Sequence, residues 1–206
     1  MELLVTNEND LSYPMVDEAW LNTFSGKRVS LYDPQPEDIE PIDIAHGLSM
    51  QCRYNGHIKE FYSVAEHSLV ASLMGYGANP FNPGLALAAL LHDASEAYLG
   101  DIISPLKRHL PGYAEFETKM TQVIYVKFGI EHFIDSSFVH EVDRRMLATE
   151  ARQLVNKHPD WHVPYEPYRI TLTCMDPKEA KYQFMHRFRE LVSLNGLRIG
   201  GLNVGS

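Results

Sequence analysis

One stretch constrains this chain more than any other: Ala89-Leu90-Leu91-His92-Asp93-Ala94-Ser95-Glu96-Ala97-Tyr98-Leu99-Gly100-Asp101-Ile102. From Leu85 to Leu91 the sequence is almost wholly apolar and lacks turn residues, which predicts a helix buried on most sides. His92, Asp93 and then Glu96 follow at its C-terminal end. Polar groups so placed are costly to bury unless they are paired or bind a metal. On a helix, Glu96 lies four residues after His92 and three after Asp93, so all three face one side. His67, twenty-five residues before His92, and Asp143, fifty after Asp93, each sit in a predicted helix of their own. The expectation is a divalent metal held by His67, His92, Asp93 and Asp143, with Glu96 beside it. Neighbouring helical residues point about 100° apart, so His92 and Asp93 converge only on an ion placed off the helix side.

A bare His-Asp dipeptide more often forms a local cap or a hydrogen-bonded pair. His67 in Val-Ala-Glu-His-Ser and Asp143 in Glu-Val-Asp-Arg-Arg turn the reading toward metal. Two imidazoles and two carboxylates form a mixed nitrogen and oxygen set. It suits cobalt, manganese or zinc first, with magnesium, iron or nickel open, and suits calcium poorly. Four protein ligands on a six-coordinate ion leave positions for a water and a substrate oxygen, as a catalytic site requires.

Composition narrows the partners. The net charge of −9 disfavours a nucleic-acid polymer, whose phosphates call for a basic face. A small anion remains compatible, because a metal and a few cations make a local positive site. Met1 to Asp10 lacks the basic start and apolar run of a signal peptide, and no stretch approaches ~20 apolar residues. The expected partner set therefore includes no membrane, and the expected location is the cytoplasm, of the host if the chain is phage-encoded. Cys52 and Cys174 are far apart and read as reduced thiols.

At 206 residues, one domain is the default. The periodicities predict an all-α helical bundle of six or seven helices. An extended arm occupies 1–43, the domain 44–195 and a glycine-rich tail 196–206. Residues 1–26 show no sustained period, and Gly26 to Asp33 alternates like one short strand. Helices are expected from about Ile44 to Gln51, from Ser63 as N-cap with Glu66 completing a capping box, and from Leu85 to Leu99, closed by Gly100. A short helix starts at Ser104-Pro105, and longer ones run from Ala114 to Phe128, from Ser136 or Ser137 through Leu154, and from Asp176-Pro177 to about Leu194. His158 to Thr173, rich in proline and aromatics, reads as an irregular excursion.

Leu91 to Lys107, Leu-His-Asp-Ala-Ser-Glu-Ala-Tyr-Leu-Gly-Asp-Ile-Ile-Ser-Pro-Leu-Lys, resembles the core of the HD-domain phosphohydrolases. The branch it is most similar to is that of the bacterial 5′-deoxynucleotidases and phage dATP triphosphohydrolases. Tyr62 to Ser68 resembles that branch's first-histidine segment, and Asp143 its final aspartate. The resemblance, spanning roughly Ala45 to Leu154, implies removal of phosphate, or of a phosphate chain, from the 5′ oxygen of a deoxynucleotide, with dAMP or dATP favoured. It implies Glu96 as a general acid or base near the attacking water and Asp101 as a second carboxylate near the 5′ oxygen. It implies Arg53 as a phosphate-orienting cation, followed by Tyr54 where the family has tryptophan, and Lys107 as a further substrate contact. It also implies a homo-oligomer. Asn55 and His57 lie in the loop before the metal helix, within reach of a nucleotide. Trp20 reads as a base-stacking residue or a core anchor.

Two competing functions share the metal set. A guanosine tetraphosphate hydrolase resembles a pattern with Glu-Asp soon after the His-Asp pair, where this chain has Ser95-Glu96-Ala97. A non-catalytic binding or regulatory module would not require Glu96 and Asp101.

Overall fold

The computed structural model describes residues 19–196. Strands β1 (Trp20–Asn22) and β2 (Arg28–Ser30) pair antiparallel, with Leu21 opposite Val29. Eight α-helices follow among the described residues: α1 (Pro41–Met50), α2 (Val64–Ala78), α3 (Pro83–Leu91), α4 (Glu96–Leu99), α5 (Ser104–Lys107), α6 (Tyr113–Lys127), α7 (Ser137–Gln153) and α8 (Pro177–Leu194). The all-α expectation holds.

Helix α3 is the axis of the bundle. Pro83 fits its first turn, where a missing N–H is harmless, and the Asn82 side chain accepts the Leu85 N–H. Gly84 and every residue from Ala86 to Leu91 are buried. Helices α2, α7 and α8 pack around it, and the Ser72 hydroxyl donates to the Ala86 carbonyl at 2.8 Å across the α2–α3 seam. Leu87, Leu90, Ile44, Leu48, Ile124, Phe128, Phe184 and Phe188 fill the core, sealed from solvent. Each is worth roughly 1.5–3 kcal/mol on burial, so the end of α3, where His92 sits, is firmly anchored. A second seam of Tyr62, Ala71, Val142, Met146 and Leu172 locks α2 to α7.

Several local expectations change. β2 has a partner strand, Trp20–Asn22, in a segment whose sequence shows no period; three-residue strands are too short to display one. Trp20 is 41% exposed and lies under the Arg28 guanidinium at 4.6 Å, so it is no core anchor. α1 starts three residues early because Pro41 occupies its first turn, and Asp43 in that turn accepts the Ser25 N–H (2.6 Å) and hydroxyl (2.8 Å). Ser63 caps α2, accepting the Glu66 N–H at 3.1 Å, but the Glu66 side chain does not close the capping box. Its carboxylate accepts the N–H groups of Cys174 (2.9 Å) and Met175 (2.6 Å) and so pins the irregular segment that precedes α8. Gln153 ties the same segment to α7 through the Ile170 carbonyl and the Leu172 N–H.

The most consequential change concerns the predicted helix from Leu85 to Leu99, which is two helices. The winding tightens at the His-Asp pair: Ala94 N–H bonds to Leu91 O, Glu96 N–H to Asp93 O and Ala97 N–H to Ala94 O, all i to i−3. The His92 ring bonds the Ala89 carbonyl at 2.8 Å. α4 then ends at Gly100, whose φ of +85° suits glycine. α1 crosses α4 at Gly47, where a Cβ would lie 3.0 Å from both the Cβ and the carbonyl oxygen of Ala97, so only glycine lets the two helices approach this closely. The residues expected to form a glycine-rich tail lie mostly outside the described residues, as do residues 1–18 of the expected arm. No described helix is long and apolar enough to cross a membrane.

Candidate metal centre

Three helices deliver the candidate ligands. His67 sits in the first turns of α2, His92 caps the C-terminus of α3, and Asp143 lies in the second turn of α7. The ligand atoms of these three residues fall within 4.8 Å of one another. His67 Nε2 is 3.2 Å from His92 Nε2 and 3.3 Å from Asp143 Oδ1, and His92 Nε2 is 3.6 Å from the same carboxylate oxygen. Asp93 joins through Oδ2, 3.2 Å from His92 Nε2 and 3.6 Å from His67 Nε2. The tightened turn after α3 makes this convergence possible, since two adjacent residues on a continuous helix would diverge.

The outer ring nitrogens show what the inner ones must be. His67 Nδ1 meets the Glu150 carboxylate at 2.5 Å, and His92 Nδ1 meets the Ala89 carbonyl at 2.8 Å. Both partners are acceptors, so both Nδ1 atoms carry protons and the Nε2 lone pairs face inward. Two lone pairs and two carboxylates converging this closely need a cation, or protons in its place, between them. The residues therefore fit a divalent metal, with outer hydrogen bonds of the kind that orient metal-bound histidines. Metal-free, the set draws protons instead. Burial lowers the pKa of both histidines and Arg53 lowers that of His67, but the surrounding carboxylates prevail: His67 rises, pulled by Glu150 and Asp143, and His92 rises well above the ordinary value, pulled by Asp93 and Asp143. Against burial, the histidines hold Asp93 and Asp143 well below the usual carboxylate range.

Glu150 is the residue that the sequence reading missed. It is fully buried, two helical turns beyond Asp143 on the same face of α7, and it also accepts Arg53 Nε at 3.0 Å and the Tyr54 hydroxyl at 2.9 Å. An acid interrupting the apolar positions Val139, Val142, Met146 and Ala151 was the available signal. Arg53 reaches the cluster as well, with Nη1 3.4 Å from Asp93 Oδ2. Tyr54 and Asn55 both adopt left-handed backbone (φ +57° and +51°), which costs on the order of 1–3 kcal/mol at a tyrosine. The bond to Glu150 helps to hold Tyr54 there. Asn55 and His57 are exposed, and neither side chain is hydrogen-bonded to the cluster.

On the other flank, the buried Glu96 receives Lys107 Nζ at 3.0 Å through Oε1, while its Oε2 is sealed from solvent without a partner among the described residues. Burial and the nearby Asp93 and Asp101 push its carboxyl up to about 8, against the pull of Lys107 and Arg53. Burial likewise raises Asp101, against the pull of Arg53. Lys107 is shared with Glu117 at 2.6 Å, a partner the sequence did not disclose. Gln51, also unforeseen, ties this flank together: its amide donates to the Glu96 carbonyl at 2.9 Å and its oxygen accepts the Asp101 N–H at 2.8 Å.

Comparison with known proteins agrees with this geometry. Residues 51–129 match the model of the HD domain family, a span that contains His67, His92, Asp93, Glu96 and Asp101. Over 180 residues the chain is 37% identical to the uncharacterized protein YfdR of Escherichia coli, covering 85% of this chain and 97% of that one. Over 116 residues it is 46% identical to an uncharacterized protein of Rhodobacter capsulatus, covering 54% of this chain and 59% of that one, less than two thirds of the relative's length. With a histidine and carboxylate cluster suited to a divalent metal, and with kinship along nearly the full length of YfdR, the chain belongs to the HD domain family.

Proposed function

We propose that this chain hydrolyses 2′-deoxynucleotides at the 5′ phosphate, releasing deoxynucleoside and either phosphate or a phosphate chain, with dAMP or dATP preferred. The observation that carries the hydrolase reading is the convergence of His67, His92 and Asp143 beside a buried Glu96 whose Oε2 has no partner among the described residues. The resemblance of Leu91 to Lys107 to the deoxynucleotidase branch carries the substrate.

A divalent ion held by His67, His92, Asp93 and Asp143 would polarise a phosphoryl oxygen and favour hydroxide over water. Glu96 and Asp101 are two carboxyls in one electrostatic neighbourhood, which suits opposite proton roles. In the reaction, the water oxygen bonds to phosphorus and the bond from phosphorus to O5′ breaks. Glu96 would serve as acid or base for the proton of the attacking water, and Asp101, by the resemblance, for the proton that the 5′ oxygen gains. Arg53, anchored on Glu150 and Asp93, keeps Nη2 without a partner among the described residues and can grip a phosphate oxygen. Lys107 holds Glu96 in place, and its charge favours an anionic ligand.

The test is a product assay on cobalt-, manganese- or zinc-loaded protein with dAMP, dATP, their guanine, cytosine and thymine counterparts, and ribonucleotide controls. Deoxynucleoside with inorganic phosphate, or with intact triphosphate, supports the reading and tells the two substrate classes apart. Turnover of ribonucleotides alone, or of none, rejects it.

A further inference from the structure

We propose that Glu150 is a positioning residue that serves the metal and the phosphate at once, its one carboxylate fixing both the His67 ring and the Arg53 guanidinium. The proposal rests on the hydrolase reading above, extended to a residue to which that reading assigns no part.

The geometry is specific. Glu150 is fully buried, and its two oxygens divide their work: Oε1 takes the His67 Nδ1–H, while Oε2 takes Arg53 Nε and the Tyr54 hydroxyl. A bond at Nδ1 holds the tautomer that presents Nε2 to the metal, and its negative charge makes Nε2 a better donor. The bond at Arg53 Nε fixes the plane of the guanidinium. Nη1 is thereby aimed at Asp93, a ligand candidate, and Nη2 is left for an incoming oxygen. Arg53 in turn balances a buried carboxylate, which would be costly to keep charged if unpaired. The left-handed backbone at Tyr54 and Asn55 fits this account, since it brings consecutive side chains, Arg53 and Tyr54, onto the same acceptor. A simple buried ion pair would need neither the histidine nor that strained turn.

Glutamine at this position separates the two jobs. Its oxygen can still accept from His67, but its amide then points N–H groups at Arg53 Nε, where an acceptor is required, and at the Tyr54 hydroxyl, which must turn from donor to acceptor. The experiment measures two affinities that do not depend on turnover: cobalt(II) titrated into metal-free protein and followed by its visible spectrum, and inorganic phosphate titrated into the cobalt-loaded protein. Glu150→Ala is expected to weaken cobalt binding by about 10–100-fold, the usual effect of losing such an outer partner. Glu150→Gln is expected to weaken cobalt about tenfold or less, and to weaken phosphate as much as Arg53→Gln does. Arg53→Gln should leave cobalt affinity within about threefold of wild type, well inside the range expected for losing a ligand's own partner. Thermal melts confirm that each variant folds, and Glu150→Gln, close in shape, keeps the test sound if Glu150→Ala does not. Cobalt and phosphate affinities of folded Glu150→Gln equal to those of wild type would overturn the proposal and leave Glu150 a structural residue. Failure of phosphate to bind the wild-type cobalt form would instead count against the hydrolase reading and the Arg53 half, with the cobalt titrations still deciding the His67 half.

Discussion

The two flanks of the site are built on opposite plans. The metal flank hangs on α2, α3 and α7, helices with buried faces, and each histidine is braced from behind by Glu150 or by the Ala89 carbonyl. The carboxyl flank, with Glu96 and Asp101, hangs on α4 and α5, single turns of four residues each, around which Ile103, Leu106 and Leu110 are exposed. α4 packs against α1 at Gly47, and side-chain bridges from Gln51 and Lys107 hold Glu96 and the Asp101 backbone in place. Ligand distances around an ion tolerate little error, so a rigid frame suits the first flank. Under the proposed hydrolysis, short elements tied by side-chain bridges suit carboxyls that exchange protons with a water and a leaving oxygen.

This contrast predicts that the flanks can be disabled separately. The largest effect belongs to Asp143→Ala: the purified variant should bind no stoichiometric cobalt and show no turnover, because an anchored ligand has no substitute nearby. Metal analysis and the product assay check this together. Retention of a full equivalent of metal would dissolve the distinction between the flanks. Glu96→Gln comes next. It should lower kcat by about 10²–10⁴-fold, the range for a general acid or base, while metal content stays at the wild-type value. If metal is lost along with activity, Glu96 belongs to the rigid flank after all. Gln51→Ala is milder. It frees the Glu96 carbonyl and the Asp101 N–H, and kcat should fall roughly tenfold with cobalt affinity unchanged, each lost hydrogen bond being worth about 1 kcal/mol.

The sequence discloses these flanks unequally. His67, His92 and Asp143 were legible because each breaks an apolar helical pattern with a metal-binding side chain. Helix existence was legible for the same reason, since caps such as Ser63, Ser136 and Asp176 precede strongly patterned segments. The break between α3 and α4 was not, because no glycine or proline marks it. The i to i−3 bonds and the ring of His92 on Ala89 make the turn, and these are tertiary choices that favour the cluster over helix continuity. Glu150, Gln51 and Glu117 were hidden for a related reason. Each acts on a partner between 10 and 97 residues away, so that even where the pattern marks an acid on an apolar face, as at Glu150, it does not say which group that acid meets. The hairpin is a third case: β1 and β2 are three residues each, below the length at which alternation can be seen.

The smallest predicted effect concerns the metal-free protein and its response to pH. His67 and His92 have folded pKa values above 6.5, so protonation favours the folded state: that stability is present below about pH 6.5 and is lost as pH rises through the folded values. Glu96 acts in the same direction. Its folded pKa of about 8 exceeds the ordinary 4.5, so ionising it between those values works against folding, and the loss levels off above pH 8. Asp93, Asp143 and Glu150, all lowered, contribute at the acid end and leave the window from pH 5 to 8 unaffected. Metal-free protein should therefore melt at progressively lower temperature from pH 6 to 8, by about 2–4 °C for each kcal/mol lost. A divalent ion replaces the lost protons, so the stabilisation it confers should grow over the same range, and its uptake should release protons into weak buffer. Glu96→Gln should flatten part of the slope while leaving the proton release per metal unchanged. A metal-free melting temperature that is level or rises from pH 6 to 8 would mean that the cluster does not gather protons when it lacks a metal. The rigid flank would then owe its geometry to packing alone.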